Sequence, residues 1–300
     1  METQATLIGP RLAALQHEIE TGNTSALADF WQEVEQRGTP LIEPVEGDEK
    51  YCLVSFICRA PDETTVVSVG GQISRHGHTQ EPLTRMPDTD VLHRTYRMRS
   101  DLRTEYRLVF GDEEGPDPLN PKTMPFPPGE DSFHPKGLVV SVLELPAAPP
   151  QPWIKPRPGV APGQMEQHRF PSTILDNERL LSVYTPAGYQ PAGGPYPLVV
   201  LFDRWVYAEV LAAPTTLDNL IAVGAVPPLV AVMISHIDFE RRDRELGSNA
   251  DFVEFLAQEL VPWVRQNYCV TTDPALTVAG GTAPTAIRLS RVVGAAKTSA

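Results

Sequence analysis

Three short runs in the second half of the chain, residues 197–202, 229–234 and 276–279, are apolar with little polar interruption. A strand carries such a run when both of its faces are covered, as in the inner strands of a parallel sheet. Residues 214–223, between the first two runs, have a helical pattern. Residues 250–268, between the last two, form a longer amphipathic pattern with Phe252, Phe255, Leu256, Leu260 and Val264 inward, and Pro262 is expected to kink it. A further strand is expected at 179–184. Strand, helix, strand, helix, strand implies a mostly parallel sheet with right-handed crossovers.

The third run leads straight into a glycine pair: residues 276–285 read LTVAGGTAPT. A nucleophile elbow has the frame G-x-S-x-G, which lifts a serine hydroxyl above the sheet on a sharp strand-to-helix turn. Here Gly280-Gly281-Thr282-Ala283-Pro284 keeps the first glycine only, with threonine in the serine position and proline in that of the second glycine.

The first half has a different period. Residues 8–20 and 24–37 read as two helices. The first has Leu12, Leu15 and Ile19 on one face; the second has Thr24 or Ser25 as cap, Leu27, Phe30, Trp31 and Val34 inward, and Gly38 as stop. Residues 51–59, 65–69, 91–99, 103–110 and 138–143 then read as strands between turn-rich loops, which predicts an antiparallel sandwich. Residues 111–136 hold too much proline and glycine for regular structure, and a loop that long is usually functional or disordered. Residues 146–162 form a stiff proline-rich linker. The expected organisation is therefore an α+β chain of two domains: a β-sandwich of the immunoglobulin-like type with leading helices over 1–145, a linker over 146–165, and an incomplete α/β-hydrolase domain over 166–300.

Net charge is −13 with no block of like charge, which argues against a non-specific grip on nucleic acid or anionic lipid. Three cysteines, Cys52, Cys58 and Cys269, fit a reducing compartment. The N-terminus has no basic start before an apolar run, and no stretch reaches the roughly 20 apolar residues of a membrane span, so a cytoplasmic protein is expected. His76 and His78 lack a third ligand nearby; a solvated loop, and no metal, is expected there.

Several stretches together resemble the enterochelin esterases. Phe30-Trp31 through Gly38-Thr39-Pro40-Leu41, Pro116-Asp117-Pro118-Leu119-Asn120-Pro121 and Ser141-Val142-Leu143-Glu144-Leu145-Pro146 resemble their N-terminal domain. Leu198-Val199-Val200-Leu201-Phe202-Asp203, the stretch RDRELGSNADF at 242–252, and Asp273 through Gly280 resemble their α/β-hydrolase domain. The resemblance implies cytoplasmic hydrolysis of the ester bonds of a ferric tricatecholate siderophore, with iron present only as part of the substrate and no cofactor. It implies that Asp117 and Asn120 lie near the site. Asp203 and Arg204 would give one backbone oxyanion donor and Ala283 the other, with Arg242, Glu245 and Asn249 beside the substrate. Ser248 stands where the family often has cysteine, and Arg204 where it has glycine. Permanently charged arginine suits an anionic catecholate; read from the residues alone, Arg241, Arg242 and Arg244 among Glu240, Asp243 and Glu245 form a solvated, salt-bridged face.

The same frame argues against turnover. A β-branched Thr282 is a poor occupant of a strained turn, and Pro284 restricts Ala283 before it. In this fold the histidine follows the nucleophile, whereas the seven histidines all precede Thr282, the last being His236. His236 follows a buried strand and could in principle pair with Asp238, but it reads as a loop residue. The resemblance stops at Gly280, so a shifted frame or a cut gene is expected just after it, with a sheet edge left uncovered. The expectation is an esterase by descent, inactive as it stands. The alternative is a non-catalytic binder of ferric siderophore or another small ligand. A carbohydrate-binding sandwich is the weaker third reading, because no aromatic stripe offers a platform.

Overall fold

A computed structural model describes residues 7–60, 62, 64–71, 73, 80–247 and 249–281. The expectations for His76, His78, Ser248, Thr282, Ala283 and Pro284 lie outside the described residues. Contacts divide the chain into two units: Met1–Phe126 with Leu138–Pro150, and Pro127–Gly137 with Gln151–Ala300. No helix among the described residues is long and apolar enough to cross a membrane.

The first unit opens with α1 (Pro10–Glu20) and α2 (Ala26–Arg37). Among the described residues ten strands follow: β1 (Leu41–Pro44), β2 (Tyr51–Arg59), β3 (Val67–Gly71), β4 (Glu81–Pro82), β5 (Thr84–Arg85), β6 (Val91–Arg99), β7 (Arg103–Phe110), β8 (Glu113–Gly115), β9 (Thr123–Phe126) and β10 (Leu138–Glu144). They form two antiparallel sheets, β1-β2-β6-β5 and β4-β3-β7-β10-β9, with β8 on β7. Alternation along β2 explains its place. Val54, Phe56 and Cys58 join Val69, Tyr106, Leu108 and Leu143 in one core, while Ile57 turns to the other face and packs with Leu12, Leu15, Phe30 and Val34 of the helices.

Two details differ from the sequence reading. Ser25 precedes α2, yet its side chain makes no capping bond to the helix backbone; its hydroxyl lies 2.8 Å from the Asp29 carboxylate. Residues 111–136 are not wholly irregular, since β8 and β9 lie within them. Pro125 sits in β9, the last strand in its sheet's order, where a missing N–H removes no ladder bond on the open side.

The second unit contains β11 (Gln164–Ser172), β12 (Asn177–Thr185), β13 (Leu198–Phe202), α3 (Ala213–Ala222), β14 (Val230–Ile234), α4 (Phe239–Leu246), α5 (Ala250–Glu254), α6 (Val261–Asn267) and β15 (Thr277–Gly280). Its sheet has the order β11-β12-β14-β13-β15. β13 runs parallel to both β14 and β15, as the apolar runs predicted. Among the described residues the sheet is mixed, not mostly parallel, because β11–β12 and β12–β14 are antiparallel. The cause is a hairpin: β11 and β12 are joined by four residues, too few for a crossover.

Both faces of β14 are covered. Val230, Val232 and Ile234 pack with Phe252, Phe255, Leu260 and Val264, and Ala231 and Met233 pack with Leu217 and Ile221 of α3. The expected single helix over 250–268 is interrupted by a π-helical turn, Phe255–Leu260, where the Val261 N–H reaches back to Leu256 O. Pro262 has no N–H to serve the carbonyl four residues earlier, and the wider turn lies immediately ahead of it.

Candidate active site

In open α/β sheets, ligands bind beyond the carboxyl ends of the parallel strands. In the second unit that end carries an unusual density of charge. Asp203 follows β13 with φ 64°, a left-handed conformation that aspartate tolerates better than most residues. A helical turn starts at Arg204 and continues as the π-helical turn Val206–Val210, with the Tyr207 N–H donating to Asp203 O at 3.2 Å. The first N–H groups of a helix have no partner inside it. Leu201 lies opposite Gly280 in the β13–β15 pairing, so this turn begins at the same end of the sheet at which the chain leaves β15. Gly281 packs closely there: an added Cβ would lie 3.2 Å from the Phe202 ring.

Three ion pairs hold this end. Asp203 accepts two bonds from Arg242 of α4, from Nε at 2.6 Å and Nη2 at 2.8 Å. The bond to Asp203 raises the pKa of Arg242. Glu245, three residues along the same helix face, accepts from Arg179 Nη2 at 2.5 Å. Arg179 on β12 has a side chain only 1% exposed and also donates to Ser235 O at 3.1 Å and Asn177 Oδ1 at 3.0 Å. Arg204 donates to Asp131 through Nε at 2.7 Å and through Nη2, and to Ser182 Oγ at 3.1 Å. Asp131 belongs to the segment Pro127–Gly137, which is further fixed by a bond from Trp205 Nε1 to Pro127 O at 3.1 Å. Gly129 leaves room for that indole, since an added Cβ would lie 2.9 Å from Trp205 Cδ1.

His236 lies in the loop just after β14, as the sequence suggested, but it does not face solvent. It is buried and stacks on Phe133 at 4.4 Å and 22°. Its acidic neighbour is Asp203, with Nδ1 3.8 Å from Oδ1, too far for a hydrogen bond, and Nδ1 has no hydrogen-bond partner among the described residues. Asp238, two residues along the chain, caps α4 by accepting the Arg241 N–H at 2.7 Å. Burial pushes the His236 pKa down, against the pull of Asp203 and Asp131. The folded state therefore favours the neutral ring. Its stabilising contribution is complete above the ordinary histidine pKa of about 6.5 and is lost as pH falls below it. His93, buried in the first unit, is lowered by the same cause. Histidine resonances followed by NMR are expected to titrate below pH 6.5 for these two rings; a His236 midpoint above that value contradicts the geometry.

The structure gathers Asp203, Arg204, Arg242 and Glu245 at one end of the mixed sheet. Asn249 serves as the cap of α5, accepting the Phe252 N–H at 3.0 Å. Asp117 and Asn120 belong to the first unit. Asp117 accepts from Tyr106 OH at 2.8 Å and Leu119 N at 3.1 Å, and Asn120 donates to Tyr106 OH at 2.9 Å and Val142 O at 3.1 Å. Sequence reasoning missed Asp131, Phe133, Arg179 and Trp205; the one available signal was the length of the proline-rich loop.

The space enclosed by Arg179, Asp203, His236, Arg242, Glu245 and Phe252 is only about 10 Å³, room for a single water. The charged cluster ties the strand ends together, and its interior has no room for a molecule larger than water. A larger cavity of about 250 Å³ in the first unit is lined by Trp31, Ile57, Cys58, Arg59, Phe110 and Asp117 among others. Its Cys58 thiol is raised to about 11 by burial and so is protonated and unreactive at neutral pH. Among the described residues no group of three or more His, Cys, Asp or Glu side chains could hold a metal ion.

Residues 172–282, within the second unit, match the family described as putative esterase. The chain is 28% identical over 284 residues to the iron(III) enterobactin esterase of Dickeya dadantii, covering 84% of this chain and 64% of that protein. It is 27% identical over 296 residues to the iron(III) enterobactin esterase of Yersinia enterocolitica, covering 84% and 80%. The fold is similar to the crystal structure of the ferric enterobactin esterase of Salmonella typhimurium, with a TM-score of 0.66 and 24% identity over 89% of this chain and 73% of that one. It is also similar to the enterobactin esterase of Shigella flexneri in the presence of enterobactin, with a TM-score of 0.60 and 26% identity over 84% and 69%.

Proposed function

The chain belongs to the enterochelin esterase family, and we propose that it binds ferric tricatecholate siderophore esters at the carboxyl ends of β13, β14 and β15 and hydrolyses them poorly or not at all. The observation that carries the siting is the helical turn after Asp203, beside the strand that enters the elbow frame. Ester hydrolysis passes through a tetrahedral oxyanion, which backbone N–H groups at such a helix start are suited to stabilise. The Asp203–Arg242 and Arg204–Asp131 pairs tie that turn to α4 and to the segment Pro127–Gly137, which reduces the ordering cost of binding. Binding by such a site accords with intracellular iron release in the family reaction, with iron as cargo and not as a resident cofactor.

The non-catalytic reading is favoured by one observation in the sequence: Thr282 and Pro284 occupy the serine and second glycine positions of the elbow frame. The test is a titration of the purified chain with a ferric tricatecholate trilactone, following quenching of tryptophan fluorescence and, in the same samples, release of catechol-bearing fragments by chromatography. Saturable quenching without fragment release is the expected result. Release that Thr282→Ala abolishes shows an active esterase, and absence of quenching removes the siderophore reading.

A further inference from the structure

We propose that Phe239 is a stacking platform for an aromatic ring of the ligand. Phe239 is the first residue of α4 and is 53% exposed, although it lies next to one of the most buried charge clusters in the second unit. One side of it is held: its ring stacks on Phe133 at 4.5 Å and 16°. Phe133 in turn stacks on buried His236, and the Arg242 guanidinium lies 5.9 Å from the Phe133 ring centroid. The exposed ring is therefore anchored through a second ring to the same groups that fix Asp203, and Ile237, 40% exposed, extends the apolar surface beside it.

An exposed phenylalanine that is rigidly backed loses little freedom when a flat ligand settles on it. Offset stacking at ring separations of 4.5–7 Å adds to plain area burial. The charges around the ring are mixed. Half-buried Arg241 and exposed Asp238 are 3.7 Å apart, Asp243 is exposed, and Glu240 adjoins. Charge alone therefore gives this surface no strong preference for an anion, and the selective feature is the flat apolar face. The ligand class is a planar aryl ring with polar edges, such as a catechol amide. The choice of catechol rests on the siderophore reading; the stacking geometry does not.

The test uses the full chain and two probes, a ferric tricatecholate trilactone and an iron-free catechol amide, with a ferric trihydroxamate of similar size as the non-aromatic control. Phe239→Leu keeps apolar contact with Phe133 but offers no flat face. It is expected to weaken the tricatecholate about 3- to 10-fold and to leave any trihydroxamate binding unchanged. Phe239→Trp is expected to restore the affinity, which separates lost stacking from a folding defect. If the unaltered chain binds the tricatecholate and Phe239→Leu binds it equally well, the platform is overturned and the siderophore reading stands. If only the catechol amide binds, and needs Phe239 to do so, the platform stands and the siderophore reading falls. Binding of neither probe overturns both.

Discussion

Asp131→Ala is expected to destabilise the second unit by about 3–5 kcal/mol, because it leaves a buried guanidinium without its counter-charge. The Arg204 and Asp131 side chains are only 6% and 4% exposed. Without Asp131, Arg204 keeps the neutral Ser182 hydroxyl and a 3.7 Å approach to half-exposed Glu209. For a unit of this size the loss amounts to a fall of about 10 °C in its melting temperature. The double change Asp131→Leu with Arg204→Met should recover most of it, since replacing both members of a buried pair with apolar groups is often neutral or better. A single change that costs less than about 1 kcal/mol would mean that the pair is solvated, and that the segment Pro127–Gly137 is not held as described.

The second large effect concerns turnover. Removing the nucleophile or its histidine from a serine hydrolase costs about 10⁶ in kcat. The elbow frame has threonine in the serine position and proline in that of the second glycine; in the G-x-S-x-G frame a β-branched residue is disfavoured at positive φ and a proline restricts the residue before it. Ester cleavage of the ferric trilactone by this chain is therefore expected to be no more than the residual effect of binding and the oxyanion donors, orders of magnitude below a serine hydrolase, with Thr282→Ala making no difference. Single-turnover measurements at high protein concentration check this most sensitively. A burst of acylated protein that disappears in Thr282→Ala would show that the threonine acts as a nucleophile.

How far the fold can be read from residues depends on what each segment buries. β2, β6 and β7 were legible because they alternate or run apolar between turn signals, and β13 and β14 because both faces are covered. β11 was not, because its sequence, QMEQHRFPS, is largely polar and its outer side lies at the end of the sheet order. Missing it hid the hairpin that makes the sheet mixed. β9 was masked by Pro125, which reads as a breaker unless the strand is known to be an edge. The candidate site was legible only in part. Asp203, Arg204, Arg242 and Glu245 stood out through the resemblance, but nothing local joins Asp203 to Arg242, 39 residues later, or Arg204 to Asp131, 73 residues earlier. Both pairings depend on the tertiary fold. The burial of His236 was not legible for the same reason: its ring packs on Phe133, a residue in a loop with no periodicity to place it.

The siting of the ligand can be measured directly by hydrogen exchange on the full chain, with and without saturating ferric tricatecholate trilactone. The account predicts slowed exchange in peptides spanning 203–207 and 239–243, the helical turn after β13 and the start of α4. Protection confined to peptides around the first-unit cavity, such as those holding Trp31, Cys58 and Asp117, or no protection in either unit, would contradict it.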